Sequence, residues 1–190
     1  MTKTGLFSLA LAFALISCSG SKTEESQDSS EMQETEINQA TSVSNNSGTS
    51  GIIDAYLAVK DALVADNSSD AAEKSKALTE ALKAYDIASS QGEDIEELER
   101  VQTEAAQFAS NIASDDIAVQ RESFQALSVL VKDFIKITGA DRTLYHQYCP
   151  MYKNNTGGMW LSASSDIKNP LFGSSMLNCG AVEDTLTVNL

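Results

Sequence analysis

Ile117-Ala118-Val119-Gln120-Arg121-Glu122-Ser123-Phe124-Gln125-Ala126-Leu127-Ser128-Val129-Leu130-Val131-Lys132-Asp133-Phe134-Ile135-Lys136-Ile137-Thr138-Gly139 is the stretch on which the fold turns. Ile117, Phe124, Leu127, Val131, Phe134 and Ile137 recur at the spacing of one helical face, and Gly139 closes the run where a helix end favours glycine. Upstream, Ile95, Leu98, Val101, Ala105, Phe108 and Ile112 repeat the pattern, and Ser114-Asp115 reads as the break and cap between the two stripes. Further back, Ala71, Leu78, Leu82 and Tyr85 form another stripe. Asp70 and Glu73 suit its N-cap and reciprocal partner, and Gly92 suits the position past its end. Ile52, Tyr56, Val59 and Leu63 make the first stripe, broken by Asp66-Asn67-Ser68-Ser69.

Four amphipathic helices joined by short loops predict an all-α fold, an antiparallel up-down four-helix bundle over residues 52–138. Acids gather at the helix starts (Glu93, Asp94, Glu96; Asp115, Asp116), where the helix dipole favours them. The stripes hold Leu, Ile, Val, Phe, Tyr and Ala, and residues 52–138 contain no His, Cys or Met. No Glu-x-x-His pair is available for a di-iron centre and no axial ligand for haem, so the bundle reads as a scaffold.

The chain has 190 residues, with 13 bases against 27 acids and a formal charge of −14. Such an excess of acids repels phosphate backbones and anionic lipid faces, which excludes nucleic acid as a partner. The acids are concentrated in the bundle, where 8 bases face 17 acids. Residues 139–190 hold 3 bases and 4 acids and are nearly neutral.

The chain opens as an export leader over residues 1–17. Lys3 precedes an apolar run from Leu6 to Ile16, too short for a membrane span, which takes about 20 apolar residues. The run ends in Leu15-Ile16-Ser17-Cys18, which resembles the bacterial lipobox, in which the Cys is lipidated and becomes the mature N-terminus. Cys18 is the expected anchor to the membrane. Ser19 rather than Asp follows it and points to the outer membrane, facing the periplasm. Residues 18–51 are Ser, Thr, Asn, Gln, Glu and Gly with almost nothing to bury, and read as a disordered tether.

Residues 139–190 break the helical period and collect the chemically soft side chains. They hold the only His (His146), the only Trp (Trp160), Cys149 and Cys179, and Met151, Met159 and Met176. Both prolines, Pro150 and Pro170, are here too. The Gly and Pro density predicts an irregular subdomain packed on the bundle, made of loops, a short helix at most and a terminal strand pair. Cys149-Pro150-Met151 and Met176-Leu177-Asn178-Cys179 each offer one thiolate and one thioether, the donors soft Cu(I) prefers. Folding that brings them together would build a sulfur-rich pocket, with His146 and Met159 as further ligands and Trp160 as a shield. Zinc is less well served, because Cys149, Cys179 and His146 fall one short of a structural set. The residues equally allow a Cys149–Cys179 disulfide around a plain core, as exported proteins commonly form. Attack by a cysteine with His146 as base lacks an orienting partner, so the chain is not read as an enzyme.

The tail string Cys149-Pro150-Met151 … Trp160-Leu161-Ser162 … Asn169-Pro170-x-Phe172-Gly173-x-x-Met176-Leu177-x-Cys179-Gly180 resembles the signature of a family of bacterial periplasmic lipoproteins of formally unassigned function. Tyr56 through Asp66 resembles that family's first helix, so the resemblance runs over about residues 52–186. Similar domains are appended to periplasmic adaptor subunits of copper/silver efflux pumps. The resemblance implies a small helical envelope domain with a metal-handling role. It places Cys149, Met151, Met176 and Cys179 at the motif's sulfur positions, and Pro150, Trp160, Asn169, Pro170, Gly173 and Gly180 at its structural ones. Leu171 stands where the family often has Tyr, and Tyr152 where it often has a small residue; His146 has no motif position. The expectation is a lipid-anchored protein that binds Cu(I) for sequestration or delivery to a heavy-metal efflux system. The alternative is a structural or interaction lipoprotein with a Cys149–Cys179 disulfide and no metal.

Overall fold

The computed structural model describes residues 43–90 and 94–187. The leader, Cys18, most of the expected tether, and Gly92 lie outside the described residues. Four helices come first: α1 (Val43–Val64), α2 (Ser68–Ala84), α3 (Ile95–Asn111) and α4 (Ile117–Thr138). Consecutive helices pack on one another, and α1 also meets α4, which closes the bundle. The stripes named above supply its core: Ile52, Tyr56, Val59, Leu63, Leu78, Leu82, Leu98, Val101, Phe124, Leu127, Val131 and Phe134 are all buried. Tyr56 stacks on Phe124 with ring centroids 5.0 Å apart, and Tyr85 meets Phe134 edge to face at 4.8 Å.

Helix boundaries differ from the expected ones where polar side chains decide them. α1 begins at Val43, inside the stretch read as tether. That turn has no apolar period to reveal it; it is held by polar contacts, with Thr49 fully buried and Ser50 Oγ donating to Asp141 Oδ2 at 2.8 Å. The N-cap of α2 is Asn67, not Asp70: its side chain accepts the Asp70 amide at 3.1 Å. Asp70 instead takes the first turn and pairs with Lys74 at 2.5 Å. α4 is capped by Asp116, not Asp115, through the Ala118 amide at 2.8 Å. Gly139 ends α4 at φ 86°, as its position in the sequence implied.

The tail corrects the all-α expectation. It contains a three-stranded antiparallel sheet of β1 (Leu144–Cys149), β2 (Gly158–Ser162) and β3 (Ala181–Leu186), in the order β2-β1-β3. The protein is mostly helical with a small sheet. Tyr145-His146-Gln147-Tyr148-Cys149 and Met159-Trp160-Leu161 favour strands through their aromatic and alternating residues, a signal too short to outweigh the surrounding glycines. Every residue of β2 is buried, and β2 packs against α4. β3 is an exposed edge whose pairing with β1 shifts register between His146 and Gln147. Leu144, Trp160, Leu161 and Leu171 join the bundle residues in one continuous core. Among the described residues, no helix is long and apolar enough to cross a membrane.

Candidate functional site

The hairpin of β1 and β2 carries the first half of the sulfur motif. Cys149 ends β1 opposite Gly158 and is fully buried. The chain then turns through Pro150 and Met151 into a single turn, Tyr152–Asn155, where Lys153, Asn154 and Asn155 all have positive φ, between 44° and 66°. Consecutive left-handed residues are rare outside glycine. Two anchors hold this turn in place: Tyr152 is buried against Phe172, with ring centroids 6.0 Å apart, and Lys153 pairs with Glu122 on α4.

Asn169 positions the second half. It is fully buried; its Nδ2 donates to Cys179 O at 2.9 Å, and its Oδ1 accepts the Leu171 amide at 2.8 Å. Its own amide donates to Leu177 O at 2.8 Å, and its carbonyl accepts the Gly173 amide at 2.9 Å. One side chain and its peptide groups thus tie together both ends of the loop from 169 to 179. Gly173 has φ +57°, and a Cβ there would lie 2.0 Å from Asp66 Oδ1. Asp66 accepts the Ser174 amide at 3.0 Å and pairs with Arg121 at 2.5 Å. Arg121 also donates to Pro170 O at 3.0 Å, so the Asn-Pro-x-x-Gly segment is clamped to the α1–α2 turn and to α4.

The outcome is that the two halves meet. Cys149 and Cys179, 30 residues apart in the chain, form a disulfide with Cα atoms 5.7 Å apart. Met176 lies beside it in the loop, where its carbonyl accepts the Cys179 amide at 3.0 Å. Met151, two positions past Cys149, is 49 % exposed and is one of the few large apolar side chains the fold leaves in solvent. Trp160 is fully buried next to this junction: a Cβ on Gly180 would come within 2.9 Å of its ring.

The other nominated ligands go elsewhere. Met159 is buried in the common core. His146 stands on β1 at odd spacing from Cys149, so strand alternation turns the two side chains to opposite faces. Among the described residues, His146 Nε2 is buried with no hydrogen-bond partner. Burial first and then Lys132 hold its pKa below the usual histidine value, against the opposing pull of Glu183 and Asp184. Among the described residues, no three His, Cys, Asp or Glu side chains gather into a metal-ligating group. In the disulfide, neither sulfur is a thiolate, the form in which cysteine ligates a soft ion.

Two buried polar side chains, Gln147 and Tyr56, and the partly buried Arg121, all hidden in the sequence pattern, position this head. Gln147 accepts from Trp160 Nε1 at 2.7 Å and donates to Ser164 O at 2.9 Å and Asp166 O at 3.2 Å. Tyr56 and Arg121 bind the head from the helices. Tyr56 was visible only as one member of an apolar stripe, and nothing local marks Gln147 or Arg121 as more than a polar residue.

Comparison with known proteins gives one family. Residues 52–143 match the model of the family described as Protein of unknown function (DUF3347), and a domain of that family is present in the chain. No curated protein and no solved structure matches the sequence.

Proposed function

Building on a domain of this family, we propose that the protein is a lipid-anchored protein of the cell envelope that holds a soft metal ion, Cu(I) by ligand preference, on a reducible sulfur centre. It acts as a binding protein rather than an enzyme, sequestering the ion or delivering it to a heavy-metal efflux adaptor or pump. The anchor is Cys18, on the outer membrane and facing the periplasm. The observation that carries the reading is the convergence of Cys149 and Cys179, each flanked along the chain by a methionine. A dithiol reductant supplies two electrons and two protons to open the disulfide. The two thiols then give up those protons on binding the ion, and Met151 and Met176 are the thioether donors within reach of the chain. Oxidation closes the site.

One observation favours a second reading, in which the disulfide is permanent and the protein docks to an envelope complex without metal. Cys149 is fully buried and the Cys179 carbonyl is held by Asn169, which suits a staple. A competitive Cu(I) titration against a coloured chelator, on oxidised and on reduced protein, separates the two. The metal reading expects one equivalent bound by the reduced protein, none by the oxidised protein, and loss of binding in Cys149→Ser. Reduced protein that never competes with the chelator leaves the stapled module as the function.

A further inference from the structure

The hollow between α1 and the loop that follows β2 has no part in the sulfur centre. It measures about 390 Å³ and is lined by Lys60, Asp61, Ser162, Ser164, Asp166 and Lys168, with Leu57 as an apolar wall. Its volume lies within the range of small-molecule sites. Two features mark it as built rather than incidental.

The first is its rigid wall. Gln147, fully buried, donates to the carbonyls of both Ser164 and Asp166. It is itself fixed by the Trp160 indole N–H. Ser162 Oγ accepts the Ser164 amide at 3.1 Å, and Ser164 Oγ accepts the Asp166 amide at 3.1 Å. Both hydroxyls spend an acceptor site on the backbone, and among the described residues neither O–H is committed to an acceptor. A surface loop held by two fully buried side chains presents its own side chains in one arrangement.

The second is Lys60. It is only 8 % exposed, yet among the described residues its sole partner is its chain neighbour Asp61, at 2.7 Å, whose side chain is 70 % exposed. Its stem is packed away from solvent, and the ammonium at its end has three donors to place. One solvent-screened carboxylate meets part of that demand, and the hollow lies where the rest would be met.

The charge balance of the lining selects the ligand. Two ammonium groups and two carboxylates surround the space, with hydroxyl donors between them. A simple anion entering it meets Asp61 and Asp166, and a simple cation meets Lys60 and Lys168. A molecule that carries both charges on one short skeleton satisfies both pairs at once. We propose that this hollow is a binding site for a small zwitterion of amino-acid to dipeptide size, with its carboxylate on Lys60 and the serine hydroxyls and its ammonium on Asp166.

The test is nitrogen–proton correlation NMR on the full chain, titrated with glycylglycine and, separately, with acetate and with methylammonium. The expected result is saturable movement of the Lys60 and 162–168 amides with glycylglycine, with affinity at least about tenfold weaker for either singly charged probe. Lys60→Met should weaken glycylglycine binding by about tenfold. Lys168→Glu, at an exposed position that cannot compromise the fold, should weaken it as well. No saturable movement, acetate binding as tightly as glycylglycine, or affinity unchanged in Lys168→Glu and in a folded Lys60→Met would each overturn the proposal.

Discussion

The hydroxyl of Tyr56, on α1, accepts the backbone amide of Leu161, on β2, at 3.0 Å. The same hydroxyl lies 2.7 Å from Ser128 Oγ, and Ser128 in turn donates to Phe124 O at 2.7 Å. Because Ser128 spends its proton on Phe124, Tyr56 is the donor to Ser128. The result is a directed chain, from the sheet through α1 to α4, in the buried centre of the molecule. A buried strand amide opposite a helix would otherwise be orphaned, and the phenol supplies its acceptor without breaking the apolar packing around it. Burial pushes the phenol's pKa far above its usual value, so it stays neutral and able to donate.

Tyr56→Phe should therefore cost more than a surface hydroxyl does. It removes a donor and an acceptor while leaving the ring stacked on Phe124. We expect a loss of about 1–3 kcal/mol, the cost of leaving a buried polar group unsatisfied. Urea unfolding checks it, and a loss near zero would mean that water replaces the hydroxyl.

The Asp66 clamp predicts a pH dependence. Ser174, through its hydroxyl and amide, and then Arg121 lower the Asp66 pKa to about 2. The folded value lies below the unfolded one, so its contribution is complete above about pH 4 and fades as pH falls toward 2. The carboxylate is 37 % exposed, so screening limits that contribution to about 1 kcal/mol. Asp66→Asn, which tolerates the same left-handed backbone, should lower the urea midpoint at neutral pH. Its difference from the native chain should vanish by about pH 2.

Removing the disulfide tests the head without dissolving the bundle. The bridge closes a loop of 30 residues, for which chain entropy gives about 3–4 kcal/mol. Cys179→Ser, at the less buried end, should lose about that much in urea while keeping its helical circular dichroism. Loss of the helical signal at room temperature would show that the bundle cannot stand without the bridge.

Met151 and Met176 separate ligation from packing. Met151 is exposed, so Met151→Leu should change stability by less than about 0.5 kcal/mol. On the soft-metal reading it should nevertheless weaken Cu(I) binding by reduced protein about tenfold. Met176→Leu should weaken binding similarly. Equal affinities for the native chain and both variants would leave the thioethers outside the site.

The helices were legible because each repeats a strong period over several turns: Phe124, Leu127, Val131 and Phe134 announce α4 unaided. The sheet was not, since Leu144–Cys149 and Gly158–Ser162 are each a few residues long and sit among glycines that argue for loops. The start of α1 escaped for a different reason. Its turn around Ser50 is fixed by a hydrogen bond to Asp141, which lies far along the chain. In the candidate site, the pairing of the two cysteines could be listed from sequence as one option among several. Its selection depends on Asn169 and Arg121 bending the loop back, and those contacts belong to the folded state alone. His146 looked like a ligand by proximity in sequence, and strand alternation took it away.

The family match stops at residue 143, one residue before β1 begins. The core does not stop there, because Trp160 and Leu161 are part of the same packed cluster as Tyr56 and Phe124. The limit drawn by sequence kinship thus falls inside one physical unit. A gene fusion that carried over only the matched part would inherit α4 with a bare apolar flank and a phenol lacking its strand partner. A domain that ended at the equivalent of Thr143 would need another strand to take the place of β2.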